Sequence, residues 1–271
     1  MNVAITRKFA RESWLLLAVV VYANVFFVVL FVWAMQAMGP QLMEFMSSVG
    51  FLRNILEMAY GISIEGAVSS NTLFAICYLH PVILALSWGF IIASASKFIA
   101  GEIDQGTADL LLALPVHRAT VMASGTWVWA AGAVVIALCP LLGIWIGTQF
   151  FEPTEPIRFG RFAMVSVNFL AINLAVGGLT AMVSCFVRRR GHAVAVIVAL
   201  AITWMAMNFL ESLLPAVEQL KFLSLLHYYQ PADISRDGLW PVTDLLVLGS
   251  VTIVSLLIGL AVYCRRDIPA P

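Results

Sequence analysis

The sequence predicts an all-α integral membrane protein: six transmembrane helices, both termini cytoplasmic, and a short cytoplasmic helix between spans two and three. Three observations carry that reading. First, 62% of the 271 residues are hydrophobic, only 11% are charged, and the mean hydropathy is +0.96. A soluble domain carries about 25% charged and about 45–50% apolar residues. Second, the 15 basic and 15 acidic residues leave six windows without any charge, at 13–43, 66–96, 119–151, 162–187, 191–210 and 245–264. Third, Lys and Arg are unevenly divided between alternate segments. The composition excludes a water-soluble globular enzyme and a disordered chain. A net charge of zero and a pI near 6.9 give no basic surface for a nucleic acid.

Each window reaches the roughly 20 apolar residues that a helix needs to cross a hydrocarbon core of about 30 Å. Asp, Lys or Arg at mid-span costs about 2.5–3.5 kcal/mol, which accounts for the empty windows. The spans expected are Trp14 to Met38, Asn71 to Ala95, Val121 to Thr148, Ala163 to Val187, Ala193 to Leu210 and Leu245 to Cys264. Runs such as Leu15-Leu16-Leu17-Ala18-Val19-Val20-Val21 are apolar on every side. A barrel strand would alternate. The first apolar run follows Arg7, Lys8 and Arg11 and far exceeds the roughly 7–15 residues of a signal-peptide core, so it reads as a retained first span.

With the N-terminus inside, the internal segments hold Arg7, Lys8, Arg11, Lys97, Arg118, Arg188, Arg189, Arg190, Arg265 and Arg266. The external ones hold only Arg53, Arg158, Arg161, Lys221 and Arg236. The positive-inside rule therefore puts both termini in the cytoplasm of a cell whose inner membrane holds the chain. Residues 39–70 and 211–244 become extracytoplasmic loops. Both carry amphipathic stretches, clearest from Phe51 onward and over Val217, Leu220, Phe222, Leu223 and Leu226, and the second is interrupted at Gln230-Pro231 and Asp237-Gly238. Interfacial packing is expected of them. Cys77, Cys139, Cys185 and Cys264 fit neither a metal spacing nor a disulfide framework and read as small apolar fillers.

Residues 96–120 form the one internal loop between spans with room for its own structure. Gly106 ends the incoming helix. Thr107 is placed to cap the next one, Asp109 falls in its favourable first turn, Leu110, Leu111 and Leu112 give it an apolar face, and Pro115 stops it. A leucine-faced helix in water is expected to dock on something.

Inside the spans one ionisable residue stands out, His80, followed by Pro81. It either lines a path or satisfies a carbonyl that Pro81 frees. Asn24, Ser87, Asn168, Asn173, Thr180, Thr203 and Asn208 are expected to make interhelical hydrogen bonds worth about 0.6 kcal/mol each. With His80, Asn168 and Asn173 are the candidates for a translocation path. Gly143-x-x-x-Gly147 would allow one close helix crossing. Trp14, Trp127 and Trp240, and His227 beside Tyr228 and Tyr229, fit interfacial belts. His117 and His192 sit beside internal charges and read as solvated.

Glu102, Gly106-Thr107, Asp109-Leu110-Leu111-Leu112, Pro115 and Arg118, in that order after the second span, resemble the signature of ABC type-2 exporter permeases. The six-span layout, the internal termini, the basic N-terminus, the chain length and the closing Arg265-Arg266-Asp267 agree, so the resemblance covers residues 1–271 as a single domain. Many members place a Lys soon after the Arg; here the stretch is Val121-Met122-Ala123-Ser124-Gly125. The resemblance implies the membrane half of an ATP-driven exporter, paired with a second permease subunit around the path. It also implies a separate ATPase subunit that binds ATP and Mg, with no cofactor on this chain. Residues 1–12 would be an interfacial elbow, residues 96–120 a coupling loop, and Glu102, Gly106, Thr107, Asp109, Leu111, Pro115 and Arg118 its coupling residues.

The sequence contains no Gly-x-x-x-x-Gly-Lys-Ser/Thr loop that would cradle a phosphate. Two rival readings remain: an integral-membrane enzyme, for which Glu102, Asp104 and His117 would have to form an acid–base set, and an ion-gradient carrier, which only His80-Pro81 suggests.

Overall fold

A computed structural model describes residues 2–48, 69–107, 116–153, 155–211, 217 and 219–265. It is all helical, with no strand among those residues. Helix α1 spans Val3–Ser48, α2 Ser70–Leu79, α3 Pro81–Ser96, α4 Arg118–Phe150, α5 Phe159–Phe186, α6 Arg190–Leu210, α7 Pro231–Asp237 and α8 Val242–Arg265. Among the described residues, six helices are long and apolar enough to cross a membrane, and the chain is an integral, multi-pass membrane protein.

The first expected span is the middle of a longer rod. Helix α1 has 46 residues, about 69 Å at 1.5 Å per residue, more than twice a bilayer core. Residues 3–12, expected as a separate elbow, continue into the span without a break. The reason is a single buried stripe, Ile5, Phe9, Ser13, Val20, Asn24, Val28 and Val32, at mostly four-residue spacing along one face. From Val3 to Met38 neither proline nor glycine interrupts the backbone ladder; the first residue without an N–H is Pro40, above the stripe.

The second expected span is broken where a proline demands it. Pro81 has no N–H to give, and the residue before a proline is pushed out of the helical region. His80 accordingly sits at φ −62°, ψ 131°, ending α2 and starting α3. Beyond Ser96 the helix widens into one π turn, Lys97–Gly101, then closes with Glu102–Asp104. The apolar crossing is thus Pro81–Asp104, displaced by about ten residues from the Asn71 to Ala95 expected. The remaining spans match to within a few residues. The third, fourth and fifth begin three or four residues before the expected starts, and the sixth begins three before.

The helices α1, α4, α5 and α8 lie side by side in that order, with α3 and α6 packed behind them against α5. The apolar windows of α3 and α5 are 67% and 61% buried, against 17–22% for α1, α6 and α8, so α3 and α5 form the centre. The Gly143/Gly147 stripe makes the expected crossing. A Cβ at Gly143 would lie 2.6 Å from that of Val28, and one at Gly147 2.9 Å from that of Val32, so α1 and α4 meet with backbones close together.

One end of the bundle gathers Arg7, Lys8, Arg11, Lys97, Arg118 and Arg190. At the other, the interruptions in 211–244 prove to be the two ends of a helix that the sequence reading did not foresee: Pro231 opens α7 and Gly238, at φ 69°, closes it. Helix α7 packs on α2 and α5. Asn71 of α2 is the hub there, giving its amide to the Pro156 carbonyl at 3.2 Å and taking the Arg158 N–H at 2.9 Å. The Ser235 hydroxyl donates to the Asn71 carbonyl at 3.3 Å. Residues Lys221–Leu223 and Leu225–Tyr228 form 3-10 turns, not the amphipathic helix that the pattern suggested. The stretch from Phe51 onward lies outside the described residues.

Candidate functional site

A buried polar constellation sits at the basic end, just beyond α3. Gly106 takes φ 68°, a left-handed conformation that glycine adopts without penalty. Its N–H reaches the Ile103 carbonyl at 3.2 Å, and the Thr107 N–H reaches the Glu102 carbonyl at 3.0 Å. These two bonds together are the Schellman closure of a helix. They place Glu102 three residues inside the cap and fold Thr107 back over it. The Thr107 hydroxyl then donates to Glu102 Oε2 at 2.7 Å. The spacing of Glu, Gly and Thr thus has a geometric cause: each residue occupies the one helix-end position that its chemistry suits.

Glu102 is only 5% exposed, and a buried carboxylate is costly unless paired. Its other oxygen takes the Lys8 ammonium of α1 at 2.6 Å. One α1 turn further along, Glu12 takes the Lys97 ammonium at 3.0 Å. On α1 the two charges are four residues apart; on the facing helix they are five apart. A π turn, with its i→i+5 bonds, brings Lys97 and Glu102 onto one face to meet them. Between the pairs the rings of Phe9 and Phe98 pack edge to face at 6.2 Å. Arg190, opening α6, braces the turn from behind, donating to the Ala93 carbonyl at 2.9 Å and to Ser96 Oγ at 3.2 Å.

Arg118 goes elsewhere. Its guanidinium donates to the Tyr263 carbonyl at 3.1 Å, one of the last carbonyls of α8, which have no partner within the helix. A cation there also complements the helix dipole. In the stretch where many members carry a Lys, the Ser124 hydroxyl accepts the Asn2 N–H at 3.3 Å, so α4 is tied to α1 there.

Of the expected coupling residues, the structure brings Glu102, Gly106 and Thr107 together and gives Arg118 a separate task. Asp109, Leu111 and Pro115 lie outside the described residues, as does the short helix that Thr107 was expected to cap. Sequence reasoning missed Lys8, Glu12 and Lys97 as partners, and Arg190 and Tyr263. The charges themselves stand in the sequence, Lys8 and Glu12 four apart and Lys97 and Glu102 five apart in the same order, but which meets which is set only when the two helices pack antiparallel. Asp104 and His117, which an acid–base set would have required beside Glu102, are both exposed, and the Glu102 carboxylate is occupied by Lys8 and Thr107.

The three path candidates are dispersed. Asn168 and Asn173 are fully buried within the bundle. Asn173 donates to the Phe169 carbonyl of its own helix at 2.9 Å, and Asn168 reaches the Tyr228 carbonyl at 3.1 Å. Asn24, Thr180 and Thr203 likewise bond the carbonyl four residues back, so the polar groups of the spans mostly serve their own helices, not their neighbours. His80 does not satisfy a freed carbonyl. Its Nδ1 accepts the Val82 N–H at 3.3 Å, capping the start of α3, and its ring lies against Phe27 at 4.7 Å.

Among curated proteins, none matches the chain. One family model does, over residues 4–268, a range that takes in the whole bundle from the foot of α1 to the end of α8. The chain belongs to the ABC-2 family of transporter proteins and is the membrane permease component of an ABC transporter.

Proposed function

We propose that this permease is the membrane-spanning half of an ATP-driven exporter in the inner membrane, with its basic end in the cytoplasm. A separate ATPase subunit, which binds ATP and Mg, docks on the loop that opens at Thr107 and closes at Arg118. A second permease subunit, identical or related, completes the translocation path. Asn168 and Asn173 lie inside one chain's bundle, so a path between two copies does not reach them without repacking. His80, half-buried at the break between α2 and α3, is the better placed of the candidates.

The observation that carries the coupling reading is the double ion pair. A push on the loop arrives first at Thr107 and Glu102. From there it passes through Lys8 and Glu12 into α1, a single rigid rod, and through Val28 and Val32 into α4. At the loop's other end Arg118 bonds the Tyr263 carbonyl and so ties α4 to α8.

Affinity purification of the tagged chain from native membranes in mild detergent tests this. A nucleotide-binding subunit should co-purify, and Glu102→Gln should lower the transport-coupled ATP hydrolysis of the complex several-fold. Recovery of no nucleotide-binding partner sinks the exporter reading. Wild-type coupling in Glu102→Gln sinks the assignment of the coupling route.

A further inference from the structure

Directly behind the double ion pair is a cavity of about 10 Å³ lined by Phe9, Ser13, Ser94, Lys97, Phe98, Gly125, Val128 and Trp129. It lies where α1, α3 and α4 meet beside the π turn. That volume is about the least that admits one water molecule. The wide turn explains why space is left. Phe98 is pressed so closely on α4 that a Cβ at Gly125 would lie 2.3 Å from its ring, and the gap opens alongside.

Two of the lining side chains have polar atoms without a hydrogen bond among the described residues: Ser94 Oγ and Trp129 Nε1. Ser94 is 7% exposed and Trp129 1%. The benzo edge of Trp129, Cε3 and Cζ3, lies over Gly177 of α5, which turns the opposite, Nε1 edge away from α5. An indole N–H can only donate and a hydroxyl can do either, so a water between them can accept from one and donate to the other. Ser13 of α1 supplies a third lining hydroxyl. No carboxylate lines the cavity, and the Lys97 ammonium is held by Glu12 at 3.0 Å, so nothing there would retain a cation.

We propose that this cavity is a one-water site, in which a single water molecule bridges the Ser94 hydroxyl of α3 to the Trp129 indole N–H of α4 against Ser13 of α1. The site does not depend on what the permease carries. The bridge gives the junction a hydrogen-bonded contact that can re-form as α1 shifts, which a direct side-chain bond at fixed length would resist.

Thermal unfolding of the purified full-length chain in detergent separates the possibilities by sign. In a dry cavity, Ser94→Ala removes an unpaired buried hydroxyl at almost no change of volume, and the midpoint should rise. With a bridging water, Ser94→Ala strands the Trp129 N–H, and the midpoint should fall by about 2–4 °C; Trp129→Phe falls in either case, because it also vacates part of a fully buried ring's space. The double variant should then fall no further than the worse single, since the two residues share one bridge. A raised or unchanged midpoint in Ser94→Ala, or additive losses, overturns the proposal. A structure of the chain in nanodiscs, at a resolution that shows ordered solvent, gives the second reading. A density peak within hydrogen-bond distance of both atoms is expected, and an empty cavity overturns the site even if the variants destabilise.

Discussion

The Lys8 ammonium near the foot of α1 lies 2.6 Å from the buried carboxylate of Glu102, across 94 residues of chain. One turn along, Glu12 and Lys97 repeat the contact with the charges exchanged. The exchange fixes direction as well as position: α1 and α3 run antiparallel, and sliding either by one turn sets like charges opposite one another. The two pairs therefore act as a register key between the rod and the helix that leads into the loop.

A charge exchange tests that key. Lys8→Ala leaves the Glu102 carboxylate with Thr107 alone and should cost about 1–2 kcal/mol. That is less than a fully buried pair would cost, because the Lys8 side chain is 39% exposed. A loss of about 2–4 °C in the melting midpoint per kcal/mol is expected in detergent. Lys8→Glu alone should lose more, and Lys8→Glu with Glu102→Lys should recover most of it. A double variant no better than the worse single would show that the pair holds no register.

The cap at Gly106 makes a second, separable demand. At φ 68° any side chain with a Cβ is strained, so Gly106→Ala should cost about 1 kcal/mol. Nothing lies within 4 Å of a Cβ at this position, so the loss would come from the backbone and not from a clash. Gly106→Asn, which tolerates the left-handed region better, should lose less than Gly106→Ala. Circular-dichroism melts of the three proteins decide it; equal losses for Ala and Asn would point to packing instead.

Arg118 should behave as a capping residue of α8. Arg118→Ala should fray the last turn around Tyr263, seen as faster amide exchange over residues 262–265 with little change in α3. Arg118→Lys keeps the cation beside the helix terminus and should restore part of the protection. Faster exchange around Glu102, with α8 unaffected, would move Arg118 back into the loop.

Much of this was readable in one dimension. The spans follow from the cost of charge in hydrocarbon, which acts locally along the chain, and the last four appear within a few residues of where the charge-free windows put them, while the first runs on at both ends into a longer helix. The second is displaced because a window shows where charges are absent, not where a helix breaks; the break comes at Pro81, which puts His80 outside the helical region. The Gly106 cap was legible because a helix end is decided by a handful of neighbouring residues. The partners of Glu102 were not, because Lys8 meets it only after α1 and α3 have packed. The π turn that aligns Lys97 with Glu102 has no residue signature of its own. Helix α7 escapes the sequence pattern for a related reason: Pro231 and Gly238 look like interruptions of one amphipathic stretch, although a proline at the first position and a glycine past the last are how a short helix is bounded.

The crossing of α1 and α4 is where a small change in volume should have its largest effect. Val28 and Val32 are fully buried and sit over Gly143 and Gly147 at the same four-residue spacing. A Cβ at Gly143 would also come within 3.2 Å of the Val25 carbonyl, so backbone stands in the way as well as side chain. Neither valine can turn aside, since a β-branched residue in a helix has one strongly preferred rotamer. Gly143→Ala should therefore force the helices apart and cost about 1–3 kcal/mol, and Gly147→Ala somewhat less, its nearest contact being at 2.9 Å. Val28→Ala removes the Cγ1 methyl, which would lie 2.8 Å from the new Cβ, and keeps the Val28 Cβ at 2.6 Å. Combined with Gly143→Ala it should recover part of the loss, whereas Val28→Ala alone should destabilise by opening a gap. Melting midpoints of the four combinations test the contact, and strict additivity would mean that the two residues do not meet.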